Sequence, residues 1–244
     1  MKSIFTYKSH AHPELDRYVQ REEVRTAQHN KTTTRTGRKR DAAGFNYYKH
    51  GLRHMVGGLT TFLKSSFYRH VKVSRRKTSG CIKQASSKRL GNRVDRELVE
   101  YCKTGKVKKN AHQLTHVIVR YLAAHGYVPV AAQLPVVIQA TLSKTIMTQA
   151  DLIVRDAEGR LHMLEVKTGA VAVSTTKGTF AAPYQHVAYS KKNAWDMQRH
   201  FTHKGLVDAG LPLASSKVVH AYQEKHGNVL SGHVKEYGDA GNHW

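Results

Sequence analysis

From about residue 84 onward, the apolar positions of this chain fall into two distinct periods. Leu90, Val94, Leu98 and Tyr101 recur at helical spacing and predict a helix over 84–103, ended by TGK at 104–106. Leu114, Val117, Ile118, Tyr121 and Leu122 predict a second helix over about 110–125, closed by Gly126. The pattern then turns to β type in YVPVAAQLPVVIQ (127–139), ADLIVRD (150–156) and RLHMLEVKT (160–168). Pro183 suits the first turn of another helix reaching to about residue 203. SKVVHAYQ (216–223) and VLSGHVKEY (229–237) read as strands joined by a turn at HGN. The order is helix, helix, three strands, helix, two strands. It predicts an α/β or α+β fold, a central sheet flanked by helices.

Upstream the periodicity dissolves, which divides the chain into a basic extension over 1–83, partly disordered and partly helical, and a folded domain over 84–244. Residues 27–43 hold almost no large apolar side chain and predict a mobile arm. In FNYYKHGLRHMVGGLTTFLKSSFYRHV (45–71) aromatics interleave with basic residues. Bases could stack on Tyr47, Tyr48, Phe67 or Tyr68 while Lys and Arg track phosphates. The same aromatics could equally be the core of a small helical subdomain.

Charge sharpens that division. The 244 residues carry 40 Lys and Arg against 17 Asp and Glu, a formal +23. Residues 1–90 hold 21 basic and 5 acidic side chains, net +16, leaving 19 and 12, net +7, for the rest. Two runs stand out: RTGRKR at 35–40, with Arg38, Lys39 and Arg40, and KVSRRK at 72–77, with Arg75, Arg76 and Lys77. These six are the expected contacts to a nucleic-acid backbone, because neutralised phosphates release condensed counterions. Nucleic acid, DNA or RNA, is expected ahead of an anionic membrane or an acidic protein, since no basic amphipathic helix or long apolar span stands out. Cys81 and Cys102 lack metal-ligand spacing and fit a reducing compartment. The amino terminus lacks an apolar signal run and carries Glu14, Asp16, Glu22 and Glu23, so an intracellular protein is expected. No nucleotide-binding glycine loop is present to support a motor.

The candidate chemistry lies on the hairpin from Asp151 to Lys167. Its turn falls at Ala157-Glu158-Gly159, and pairing Asp156 with Arg160 sets Asp151 opposite Glu165. Residues so paired stand about 4.5–5.5 Å apart at Cβ. Lys167, two residues beyond Glu165, shares their face, while Leu152, Val154, Leu164 and Val166 point to the other. Two adjacent carboxylates repel unless a cation lies between them. Mg²⁺ or Mn²⁺, hard ions taking oxygen ligands, could polarise a phosphate oxygen and activate water. Lys167 could hold that water or stabilise developing charge. An ordinary cross-strand ion pair uses the same residues.

The arrangement resembles the PD-(D/E)xK nuclease superfamily, with Asp151 as the first acid and Glu165-Val166-Lys167 as the ExK. Gln185 and Tyr189 in PYQHVAY match the QxxxY motif of its RecB-like and lambda-exonuclease-like branch, on the helix after the ExK strand. GNRVD (91–95) resembles that branch's GxxxH helix motif, with Asp95 where a metal-binding histidine is frequent. The resemblance covers roughly residues 84–224. It implies a restriction-endonuclease-like core, Mg²⁺ or Mn²⁺ held by Asp95, Asp151, Glu165 and the Val166 carbonyl, and hydrolysis of DNA by an exo- or endonuclease. Catalytic roles fall on Asp151, Glu165, Lys167, Gln185 and Tyr189. The rival reading is a non-catalytic nucleic-acid-binding or packaging protein. His112 and His116 have HxxxH spacing without the HExxH glutamate and read as helix-surface residues. His200 and His203 read as charges near a helix end.

Overall fold

The computed structural model describes residues 6–20, 59–68, 84–141, 144–169, 178–226 and 229–237. In chain order the elements are β1 (Thr6–Tyr7), α1 (described over 13–20), α2 (Leu59–Ser66), α3 (Gln84–Thr104) and α4 (Gln113–Ala124). They continue with β2 (Val128–Thr141), β3 (Lys144–Arg155), β4 (Leu161–Thr168), α5 (Lys191–Asp208), β5 (Ser215–His226) and β6 (Val229–Tyr237). The six strands form one sheet in sequence order. Every pair is antiparallel except β4 and β5, which α5 connects as a parallel crossover. The protein is thus a mixed sheet flanked by helices.

Alternation along the central strands divides their side chains between two cores, one on each face. Leu152, Val154, Leu164 and Val166 meet Val94 and Leu98 of α3 and Leu114 and Ile118 of α4. Ile153 and Met163 face the opposite way, into a core shared with Leu15, Leu59, Phe62, Met197 and Leu206. The face bearing the candidate acids is therefore covered by helices as fully as the face expected to be core. Contact there is close. A Cβ on Gly205 of α5 would come within 2.7 Å of Ile138 Cγ1 and 2.9 Å of Val136 Cγ1, so the missing side chain lets the helix press onto β2.

Parts of residues 1–83 are built into this second core. β1 pairs with β2, and the Lys8 N–H donates to the Val130 carbonyl at 2.7 Å. Tyr18 is fully buried and its hydroxyl donates to the Pro135 carbonyl at 2.6 Å. Phe67 stacks on Phe201 of α5 at 6.1 Å between ring centroids, and Tyr68 packs against Phe180 at 5.3 Å. These two half-buried rings pack against the core of the main sheet and not within a separate helical subdomain. Tyr47, Tyr48 and the six residues expected to contact phosphate, Arg38, Lys39, Arg40, Arg75, Arg76 and Lys77, lie outside the described residues.

Two element boundaries differ from expectation. β3 begins at Lys144, not near 150, because the long β2 supplies it with partners out to Thr141. The helix expected from Pro183 begins instead at Lys191 and runs on to Asp208. Ser190 supplies the cap, its Oγ accepting the Asn193 N–H at 3.0 Å. Between 178 and 190 the chain makes turns pinned by a bridge between Thr179 and Ala188, with Phe180 buried. His200 and His203 accordingly lie inside α5, and burial, with Arg199 adjacent, lowers the His200 pKa and disfavours its charged form. His112 caps α4, its Nδ1 accepting the Leu114 N–H at 3.1 Å. Among the described residues no helix is long and apolar enough to cross a membrane.

Candidate active site

The hairpin register is the expected one. Arg155 pairs with Leu161 and Leu152 with Leu164, around a turn where Gly159 adopts φ of 85°. The β3–β4 ladder stops at that last pair, one step short of Asp151 and Glu165. There the Asp151 carboxylate takes over: its Oδ2 accepts the Val166 N–H at 2.8 Å, and its Oδ1 accepts from Gln133 Nε2 at 3.2 Å. Val166 thus reaches the cluster through its N–H. Gln133 sits opposite Asp151 on β2 in a left-handed conformation with φ of 55°. Non-glycine residues adopt that region rarely, so the backbone is bent locally beside the first acid.

Glu165 has no solvent exposure. Its Oε1 accepts from Lys167 Nζ at 2.5 Å and from Gln198 Nε2 at 2.7 Å, whereas its Oε2 is buried without a hydrogen-bond partner. Burial, reinforced by the charge of Asp151, pushes the Glu165 pKa up to about 7 against the pull of Lys167. Asp95, on α3, responds in the same way. Burial first, then repulsion from Asp151 and Glu165 against attraction to Lys167, raises its pKa to about 7. Asp151 is also raised, by burial, although Lys167 and its two hydrogen bonds oppose the shift. Burial alone would lower the Lys167 pKa, but Glu165, Asp151 and Asp95 outweigh it and hold the ammonium charged. Asp95, Asp151, Glu165 and Lys167 thus lie near enough to one another to form one electrostatic unit.

Gln185 and Tyr189 do not join that unit. Gln185 is exposed in a turn, and Tyr189 packs its ring at 5.3 Å from both Tyr68 and Phe180. Their four-residue spacing does not fall on a helix here, so the face they were expected to share does not exist. The glutamine that reaches the acids is Gln198, from the second turn of α5. Besides donating to Glu165, it accepts from Lys167 Nζ at 3.3 Å. Its sequence signal was the capping pattern SKKN at 190–193, which starts the helix at Lys191 and phases Gln198 toward the sheet. Arg199 fixes that phase from the next position. Its side chain is buried, donates to Asp196 at 2.7 Å and bonds to Ser216 Oγ on β5.

On α3, Gly91 faces the end of β4, where Thr168 Oγ1 lies 3.4 Å from the place a Cβ would take. Its close neighbour is a strand, at ordinary contact distance. Glu97 belongs to local architecture: Arg93 Nε donates to it at 2.8 Å, the His112 N–H at 2.9 Å and Thr115 Oγ1 at 2.5 Å.

A hard divalent cation suits the donor set in two respects. The side chains are carboxylates, and one deeply buried oxygen of Glu165 has no partner. Three mutually repelling acids are the electrostatic setting that a cation relieves. The spacing is less complete, since among the described residues no group of three or more His, Cys, Asp or Glu side chains is arranged so as to hold a metal ion. No protein-family model matches the chain, and no curated protein matches it.

Proposed function

We propose that the chain is a Mg²⁺- or Mn²⁺-dependent nuclease that hydrolyses phosphodiester bonds in DNA, on a core of the restriction-endonuclease-like, RecB-like type. The observation that carries the reading is the coupling of Asp95, Asp151 and Glu165 with Lys167, around a buried carboxylate oxygen that no protein donor satisfies. Paired charges that serve packing end with their hydrogen bonds filled; a perturbed and incompletely satisfied cluster marks a functional site.

Asp95, Asp151 and Glu165 would hold the cation, with the Val166 carbonyl as a further donor. The bound ion would supply Lewis acidity at the scissile phosphate and favour deprotonation of the attacking water. Lys167, kept charged by its three acidic neighbours, donates hydrogen bonds toward the attacking water or the phosphate oxygens that gain charge in the transition state. Gln198 positions that ammonium by accepting from it while donating to Glu165. Gln133 and the Val166 N–H orient Asp151. The basic runs of residues 35–40 and 72–77 would bind the polynucleotide backbone without reading its sequence.

The test is cleavage of labelled single- and double-stranded DNA and RNA with Mg²⁺, with Mn²⁺ and with chelator. Activity that needs the ion and is lost in Asp151→Ala and Lys167→Ala supports the reading. Equal residual activity in both variants and the parent sinks it, and leaves a nucleic-acid-binding or packaging role served by the net +16 of residues 1–90.

A further inference from the structure

One strand away from Lys167, aromatic rings and ammonium groups gather on a single surface. His220 of β5 pairs in register with Lys167 of β4, so both side chains leave the sheet on the same face. His220 is buried, and burial, with its backbone contact to Gly169 opposing, lowers its pKa and favours the neutral imidazole. Its ring lies 4.8 Å from that of Trp195 on α5 and 6.4 Å from that of Tyr237 on β6, nearly parallel to the latter at 24°. Trp195 precedes Gln198 by three residues, which places it on the neighbouring turn of the same helix face. The rings therefore form a shelf that begins at the carboxylate cluster and leads to the β6 edge of the sheet.

Three lysines attend it. Lys191 Nζ lies 4.9 Å from the Trp195 ring centroid, and Lys192 and Lys235 Nζ lie 5.4 Å and 5.6 Å from that of Tyr237. Lys192 and Lys235 are exposed, and among the described residues neither forms an ion pair. The nearest acids in sequence are committed elsewhere. Glu236 bonds Tyr121 and Lys217, and Asp196 bonds Arg199. The surface thus has aromatic faces and a net positive charge.

We propose that this shelf binds single-stranded DNA, with unpaired bases on Trp195 and Tyr237 and phosphates on Lys191, Lys192 and Lys235. Unpaired bases expose the π-faces that stacking needs, while a duplex hides them inside its own stack. Trp195 and Tyr237 are half-buried, and an ammonium resting on a ring that still meets solvent is held weakly, so a base can replace it while the lysine swings to a phosphate. That the strand then runs to Asp151, Glu165 and Lys167 for cleavage rests on the nuclease reading; the binding does not.

The chain has two tryptophans, Trp195 and Trp244, so Trp244→Phe leaves Trp195 as the sole reporter. Its emission is titrated in chelator at low salt with an oligothymidylate of about twelve residues, then with the same strand annealed to oligodeoxyadenylate. Fluorescein anisotropy on the same oligonucleotides follows total binding in parallel. The single strand should quench Trp195 by about half or more, and the duplex by less than about a tenth. Lys192→Ala combined with Lys235→Ala, both at exposed positions, should weaken single-strand affinity by about tenfold. Unchanged emission while the oligonucleotide binds, equal quenching by the duplex, or unaltered affinity in the double-lysine variant overturns the proposal. Because the titration excludes metal, quenching without cleavage in a later Mg²⁺ assay sinks only the nuclease reading. Cleavage without quenching sinks only the shelf.

Discussion

The β3–β4 hairpin carries an ionic cluster at each end, built from similar residues to opposite effect. Beside the turn, Asp156 accepts from the Arg160 N–H at 2.8 Å, from Arg160 Nε at 2.7 Å and bonds His162 Nε2 at 2.9 Å. His162 passes the chain of contacts on to Ser215 Oγ at 2.8 Å. Burial alone would raise Asp156, yet the bonds from His162 and Arg160 outweigh it and hold its carboxyl well below the usual carboxylate range. At the far end Asp151 and Glu165 also have a basic neighbour, and they are pushed up. The difference lies in the ratio of donors to acids. One acid with several donors is finished architecture, whereas three acids share one lysine, two glutamine amides and one backbone N–H, and one buried oxygen of Glu165 is left without a partner.

Breaking the far cluster should have the largest effect. Lys167→Met or Asp151→Asn should lower metal-dependent cleavage by roughly 100- to 1000-fold, measured as single-turnover rates on labelled DNA. Asp156→Asn should leave that rate within about twofold, because it removes architecture at the other end. Next, Gln198→Ala should cost about ten- to a hundredfold in rate with substrate affinity little changed, as for residues that orient a ligand set. Gln185→Ala, at an exposed turn, should be indistinguishable from the parent in the same assay.

The stability predictions are smaller, and the two ends carry opposite signs. The pKa of Asp95 rises from 3.8 to about 7 on folding, so its cost is absent below about pH 4 and grows as pH climbs through 7. In chelator at about pH 8, Asp95→Asn should therefore stabilise the protein by about 2 kcal/mol in urea unfolding, with no change near pH 4. Asp156 is depressed on folding, so its contribution is present above its ordinary value of 3.8 and fades as pH falls below it. Asp156→Asn should destabilise at about pH 8, with the difference shrinking on acidification. Equal signs for the two variants at about pH 8 would erase the contrast between the clusters.

Local rules reached some parts of this protein and missed others for physical reasons. The hairpin register followed from one turn glycine and the alternation of Leu152, Val154, Leu164 and Val166, because a one-residue slip would exchange that apolar face with the one bearing Asp151, Glu165 and Lys167. The helices ending near Thr104 and Ala124 were legible from spacing alone. Pro183 misled, since proline favours the first turn of a helix but equally a tight turn, and Ser190 with Asn193 made the stronger start. That shift of eight residues replaced Gln185 with Gln198 as the site's glutamine. The integration of Leu15, Tyr18, Leu59 and Phe62 was hidden because their segments are short and set among basic residues. Only the sheet they cover reveals their role.

The pairing of β1 with β2 has a consequence for anyone who trims this chain to the domain expected from residue 84 onward. Cutting at residue 83 takes away Thr6 and Tyr7, which pair with Ala132 and Ala131 on the outer side of β2, along with the Leu15, Tyr18, Val19, Leu59, Phe62 and Leu63 that roof the adjoining core. What is left presents bare backbone donors and acceptors beside an uncovered apolar floor, the template on which strands of neighbouring molecules add. A fragment beginning at Gln84 should aggregate more readily than the full chain, as light scattering at matched concentration would report. A fragment that keeps residues 6–20 and 59–68 should stay in solution.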